Sequence, residues 1–224
     1  MTLMNQAFQR ARSSEAKEQR EAAILEAART LAATHNVRQI TLTDIAEAIG
    51  MHKSALLRYF ETREQIFLIL TAEGWREWSS ALREELAQLA KPSPAAVAAV
   101  FAKTLTARPM FCDLLAQAPL NLERNVSLDA IRAFKLIAMN EVRMIGSELK
   151  GLFGLSEQQA TNIIATAVSM AGALWQMATP GPQVLELYRS EPELAHAIVD
   201  VEPRLTDILE GLLTGYLPAR AKRS

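Results

Sequence analysis

Catalytic chemistry has little to work with in this chain. The three histidines, His35, His52 and His196, show no metal-ligand spacing, and HExxH, GxSxG, GxGxxG and the phosphate-loop pattern are absent. Adjacent carboxylates such as Glu84 and Glu85 fit a solvated helix face. The single cysteine, Cys112, excludes an intrachain disulfide framework and fits a reducing cytosol. Its neighbours Met110, Phe111, Leu114 and Leu115 favour a buried, inert thiol. No catalytic group, metal or cofactor is therefore expected. What remains is recognition. Between Gly50 and Arg63 stand Lys53, Arg58 and Arg63 against only Glu61, a local basic patch suited to phosphates.

The elements that must position this patch are two short helices joined by a tight turn, over residues 41–63. Thr41 and Asp44 fit a capping box at the start of the first helix. Ile45, Ala46 and Ile49 give it one apolar face. Gly50 supplies the turn, since it adopts positive φ at little steric cost. A second helix then runs from His52 to Phe60 and buries Leu56, Tyr59 and Phe60. Ala46 is small where the two helices would cross. This is the pattern of a helix-turn-helix, and it favours DNA binding over an ordinary helical corner.

Composition agrees with an all-α fold. Half of the 224 residues are apolar, glycine and proline are few, and alternating β-branched runs are missing. The formal net charge is −1, so attraction to nucleic acid has to be local. Through Gln65, nine Lys/Arg oppose eight Asp/Glu, and the remainder of the chain is slightly acidic. Residues 158–185 carry no charge, but polar side chains interrupt them and Thr179, Pro180 and Gly181 end the run. The most apolar part, 163–178, is shorter than the ~20 residues a membrane span requires. A buried helix, no membrane partner and a cytoplasmic location are expected.

The chain divides into a flexible arm (1–14), a helix-turn-helix domain (15–62), a larger helical domain (63–218) and a basic tail (219–224). A helix over 14–35, ending at a left-handed Asn36, braces the reading pair. Thr62 and Gln65 cap a long helix that runs to about residue 90 and joins the domains without a linker. Ser93 and Pro94 start the next. Further helices are expected over 95–108, 109–125 (interrupted near Pro119), 127–153 and 156–178, then shorter ones over 183–190 and 193–198, and a last one over 203–217. In the 156–178 helix, Ile164, Ala167, Val168, Ala171 and Leu174 form an apolar stripe, with Ala167, Ala171 and Gly172 small enough for a close helix approach. Leu205, Ile208, Leu209, Leu212 and Leu213 do the same in the last helix. A helix-turn-helix reader usually binds two half-sites as a dimer, so these stripes are expected to pair two subunits, the other possibility being burial within one.

The residues from Ile40 to Ala46, Gly50 to Leu56, Phe60 to Glu64, and Ile66 and Phe67 resemble the DNA-binding domain of the TetR family of bacterial transcriptional regulators. The likeness is close over residues 20–70 and architectural beyond. The stretches 108–115 and 122–127 resemble one subgroup of TetR C-terminal domains. The resemblance implies that the 52–60 helix enters the major groove, with Lys53 and Ser54 nearest base edges and Ala55 beside them. It places Thr43, Arg58, Tyr59 and Arg63 at phosphates. His52 stands where a small hydroxyl residue is usual, and Leu57 where tyrosine is frequent. It also implies a small hydrophobic or amphipathic effector in the second domain. Phe101, Met110, Phe111, Leu115, Met139 and Trp175 are candidate walls, with Asn121, Asn140, Arg143 and Gln176 as polar anchors. The expected function is a ligand-responsive repressor binding a palindromic double-stranded DNA operator as a homodimer. A regulator without an effector is the alternative; a helical enzyme or a protein-binding adaptor stands further off.

Overall fold

The computed structural model describes the backbone of residues 2–217 and the side chains of residues 15–217. Helices α1 (Thr2–Ala32), α2 (Leu42–Ala48) and α3 (Lys53–Leu56) form the first unit, with a 3₁₀ turn (Val37–Gln39) between α1 and α2. Helix α4 (Arg63–Ala87) leads into α5 (Pro94–Thr106), α6 (Pro109–Gln117), α7 (Leu128–Phe153) and α8 (Glu157–Ala178). Helix α9 (Pro182–Ser190), a 3₁₀ turn (Pro192–Ala197) and α10 (Val201–Tyr216) complete it. No strand occurs among the described residues, so the fold is all-α as expected.

Local chemistry explains most boundaries. Thr41 and Asp44 form a reciprocal capping box on α2, as do Ser156 and Gln159 on α8. Ser93, Ser127 and Thr62 cap α5, α7 and α4 through their hydroxyls. Gln65 reaches back to the Glu61 amide rather than to that of Thr62, so the cap at α4 is wider than a simple box. Gly50 and Gly154 sit at φ 64° and 67°, where other residues would be strained.

Three expectations are corrected, and the interruption expected near Pro119 is present. Helix α1 begins at Thr2 rather than near residue 14, since residues 2–14 contain neither glycine nor proline to stop it. Asn36 lies at φ −61° and caps the following 3₁₀ turn by accepting from the Arg38 amide, instead of ending α1 in the left-handed region. Helix α3 is four residues long and continues to Phe60 as tight turns, with Arg58 bonding back to Ala55 and Tyr59 to Leu56. The expected interruption near Pro119 is a π-helical turn, Ala118–Leu122, in which the Glu123 amide reaches the Ala118 carbonyl. The tail at 219–224 lies outside the described residues.

The second unit is a bundle. Helix α7 packs along α4, α8 along α6, and α10 between α5 and α8. Its centre is aromatic: Trp78 meets Trp75 and Phe101 edge-on at 5.5 and 5.9 Å, and Phe111 meets Trp75 edge-on at 5.9 Å. The Trp78 indole N–H donates to the Thr104 hydroxyl at 3.1 Å, so the cluster buries its polar edge satisfied. Among the described residues, no single helix is long and apolar enough to cross a membrane.

Candidate nucleic-acid interface and regulatory domain

Helix α3 is pinned from below and bare above. Leu56 and Phe60 are buried against Ile45 and Ala46 in the core of the first unit. Lys53, Ser54, Leu57, Arg58 and His52 face solvent, with Thr43 exposed on α2; Ala55 and Tyr59 are half-buried at the edge. Leu57 is 44% exposed, a cost in water with no packing return inside the chain. His52 is the N-cap of α3 and makes no capping hydrogen bond with its side chain. Arg38, which the sequence reading passed over, borders the same hollow as Lys53 and Thr41. Its position on the turn before α2 was the available signal.

Arg63 is placed differently from the expectation. Its guanidinium donates to the carbonyls of Val37 and Ile40, pairs with Glu64 at 3.0 Å and stacks over Phe67 at 4.8 Å. The donors are committed to the 3₁₀ turn, so Arg63 clamps the first unit onto α4 instead of facing phosphates.

Two further bonds cross between the units. Asp113 on α6 is 5% exposed. One of its carboxylate oxygens accepts from the Val37 amide at 2.8 Å, the other from the Gln176 side chain at 2.7 Å. A single buried carboxylate thus ties α8 to the turn that precedes the reading pair. Glu61, just past α3, accepts from the Ser127 amide at the start of α7 at 2.9 Å. These links leave the first unit anchored to α4, α6 and α7 at once.

The expected effector residues do not converge. Phe101 and Phe111 belong to the packed aromatic centre. Gln176 is spent on Asp113, Asn121 donates to Gln117 at 2.6 Å, and Asn140 lies beside Glu141 and Met144. Met110, Leu115 and Trp175 are half-buried against the core. Met139 and Arg143 share a hollow, an open groove of about 570 Å³ between α7 and α8. Cys112 is buried, and burial pushes its thiol up to about 12.

Seven of the ten stripe residues on α8 and α10 are also corrected, while three stay partly free. Ile164, Ala167, Ala171, Leu174, Leu205, Leu209 and Leu213 are buried within this one chain, and Val168, Ile208 and Leu212 are half-buried. Gly172 serves α6: a methyl group there would come within 2.9 Å of the Ala116 backbone nitrogen. Both stripes are wide apolar faces, and the bundle core claims most of each.

An exposed three-turn reading unit with a bare cationic edge, clamped to a separate helical bundle, defines a helix-turn-helix DNA-binding regulator. Comparison with known families agrees. Residues 24–70 match the model described as bacterial regulatory proteins, tetR family, and residues 72–220 that described as the tetracyclin repressor-like C-terminal domain. The chain belongs to the TetR family of DNA-binding transcriptional regulators, which are not enzymes. Among solved structures it is similar to FadR of Thermus thermophilus in complex with lauroyl-CoA, at 19% identity and TM-score 0.59, covering 91% of this chain and 98% of that one. It is also similar to the fatty acid degradation regulator FadR of Bacillus halodurans, at 17% identity and TM-score 0.55, covering 89% and 97%. PfmR, another TetR family regulator of Thermus thermophilus, follows at 14% and 0.53, covering 88% and 99%. No curated protein matches the sequence.

Proposed function

We propose that this regulator is a repressor that binds a palindromic operator as a homodimer and releases it when a small hydrophobic or amphipathic effector enters the second domain, the division between domains falling at Arg63. The observation that carries the reading is the solvent-facing set on α3. Lys53 suits guanine O6 and N7, Ser54 lies beside it, and Leu57 offers its side chain to a thymine methyl. Thr43, Arg58 and Arg38 take phosphates, with Tyr59 at the rim.

The dimer contact moves to the faces of α8 and α10 that the core leaves free. On α8 these are Thr161, Ala165, Ser169, Ala173 and Met177, a small and uncharged line at helical spacing. On α10 they are Gly211 and Gly215, flanked by Ile208 and Leu212. Each helix-interior glycine costs about 1 kcal/mol relative to alanine. Among the described residues, nothing beyond the helix's own backbone and the adjoining residues lies within 4 Å of where their Cβ atoms would be. Close approach by a second copy supplies the reason for both, and two readers about 34–36 Å apart follow from the pairing.

For the effector, the bound lauroyl-CoA of the Thermus thermophilus FadR structure supports an acylated, amphipathic class. The aromatic centre is closed, so such a ligand selects a conformation in which α6 and α8 part. That motion strains Asp113, which holds both α8 and the Val37 amide. The test combines a palindrome drawn from the DNA flanking the gene with a panel of acyl-CoA thioesters. Sequence-selective binding that weakens steeply with salt is expected, with release on adding one thioester. Stabilisation by a thioester without release rejects the coupling, and absence of selective binding rejects the operator.

A further inference from the structure

Helix α6 presents two polar side chains, one turn apart, to the 3₁₀ turn of the reading unit. Asp113 takes the Val37 amide, and Gln117 shares a hollow of about 200 Å³ with the next residue, Arg38. The π-helical turn after α6 supplies Asn121 at one side and the buried Leu122 beneath. Such turns recur at functional sites, because the extra residue displaces side chains from the regular helical ladder. The hollow is smaller than the ~300–1,000 Å³ of drug-sized sites, so it suits a small molecule and not an acylated effector.

Its donors exceed what the chain itself satisfies. The Gln117 side-chain oxygen accepts from Asn121 at 2.6 Å. The N–H groups of the same amide meet no acceptor among the described residues, although Gln117 is only 7% exposed. The Arg38 guanidinium and the Asn125 amide at the rim are likewise without a partner among the described residues. Arg63 is committed to the carbonyls of Val37 and Ile40, and Glu64, the acid on this wall, is neutralised by Arg63 at 3.0 Å. One unpaired cation and two sets of amide N–H groups are left over. That set matches an oxyanion: a guanidinium grips two oxygens of a carboxylate or phosphate side by side, and amide N–H groups take the others.

Arg38 also belongs to the reading surface. Together with Arg63 and Glu64 it borders the neighbouring hollow, which holds Thr41 and Lys53. A long, exposed side chain held by no partner turns from one hollow to the other without breaking a contact.

We propose that the junction hollow binds a small oxyanion, a phosphate or a carboxylate of few carbon atoms, held by Arg38, Gln117 and Asn125, and that the bound anion withdraws Arg38 from the operator. The second half rests on the placing of Arg38 at an operator phosphate above. The anion acts on DNA binding from the junction of the two units, separately from an effector inside the bundle.

Isothermal titration calorimetry of the full chain with inorganic phosphate, and with acetate, at fixed ionic strength in chloride tests the site. Saturable binding of at least one of the two anions is expected. Arg38→Gln should weaken it roughly tenfold, and so should Gln117→Met, which keeps the side-chain length and removes the N–H donors. Should Gln117→Met fail to fold, Asn125→Ala on the exposed rim decides in its place, with a loss of about threefold. Operator titrations then compare phosphate with chloride in each protein. In the unmodified chain phosphate should lower operator affinity about three- to tenfold, equally for all operator variants, and reduce the salt slope by about one per reader. In Arg38→Gln the two salts should give the same affinity. The proposal is overturned if neither anion saturates, or if the variants bind as the unmodified chain does. Saturable binding that leaves operator affinity unchanged refutes the withdrawal of Arg38. If Arg38→Gln binds the operator in chloride as tightly as the unmodified chain, the placing of Arg38 at a phosphate is what fails, and the calorimetry still decides the hollow.

Discussion

Replacing Asp113 by asparagine should loosen the reading unit without touching its surface. In the native chain both carboxylate oxygens accept an N–H, one from Val37 and one from Gln176, at 2.8 and 2.7 Å in a site 5% exposed. Asparagine keeps one acceptor and turns an N–H toward the second donor, so one buried donor loses its partner. Hydrogen bonds to a charged group contribute ~1.5–3 kcal/mol, and a buried unsatisfied N–H costs a similar amount. A net loss of about 2–3 kcal/mol is expected, equivalent to roughly 4–12 °C in Tm for a chain of this size. Amide exchange locates the loss. The Val37 amide should exchange roughly 10- to 100-fold faster, with the deep amides of α4 less affected. Gln176→Ala is the control, because the carboxylate then keeps Val37 and loses one donor; it should cost ~1 kcal/mol. The two substitutions should be non-additive, since they share one acceptor. A Tm within about 1 °C of the unmodified chain together with unchanged Val37 exchange would falsify the claim that Asp113 ties the two units.

Other outcomes follow from the same geometry. Lys53→Ala should weaken operator binding by ~1–3 kcal/mol and relax sequence preference, measured by titration against single-base operator variants. Arg58→Ala should lower the slope of log affinity against log salt by about one; Arg63→Ala should instead lower Tm and leave that slope unchanged, because its donors are held by Val37 and Ile40. Gly211→Arg should give folded monomers in sedimentation, whereas Leu209→Glu should unfold the chain, since Leu209 is fully buried. Cys112 should resist alkylation by iodoacetamide at pH 8 until the chain is unfolded. With its thiol raised from 9.0 to about 12, its contribution to stability is intact below pH 9 and declines as pH rises toward 12, visible as a Tm loss that Cys112→Ser lessens.

The reading unit was legible because its signals are local. A capping box, a glycine at positive φ and a small residue at a crossing each act within a few residues, and each stands where the sequence placed it. The apolar stripes of α8 and α10 were equally visible, but periodicity says only that a face is buried, never against what. Ala171 and Gly172 look the same whether the approaching backbone is α6 or a second subunit. Arg63 misled for a related reason: its place at the end of the basic patch is a matter of sequence, while its acceptors, Val37 and Ile40, are set by the fold. Asp113 offered no local signal, because its partners lie 76 and 63 residues away. The effector residues were least legible, since aromatic and methionine side chains fill a core as readily as they line a pocket.

The shortness of α3 bears on how this regulator gains specificity. Four helical residues and two tight turns offer few side chains to base edges, and the first 65 residues carry nearly balanced charge. Electrostatics alone would give weak and indiscriminate binding. In the proposed homodimer, specific binding depends on presenting two such readers at a fixed separation, and the energy for fixing it has to come from outside the reading unit. Arg63, Asp113 and Glu61 anchor that unit to α4, α6 and α7, so any displacement of these helices moves α3 as a body. A shift that breaks one anchor, at a cost of about 2 kcal/mol per subunit, is doubled in a dimer to ~4 kcal/mol and lowers operator affinity roughly a thousandfold. An effector needs only that much preference for the displaced state to act as a switch.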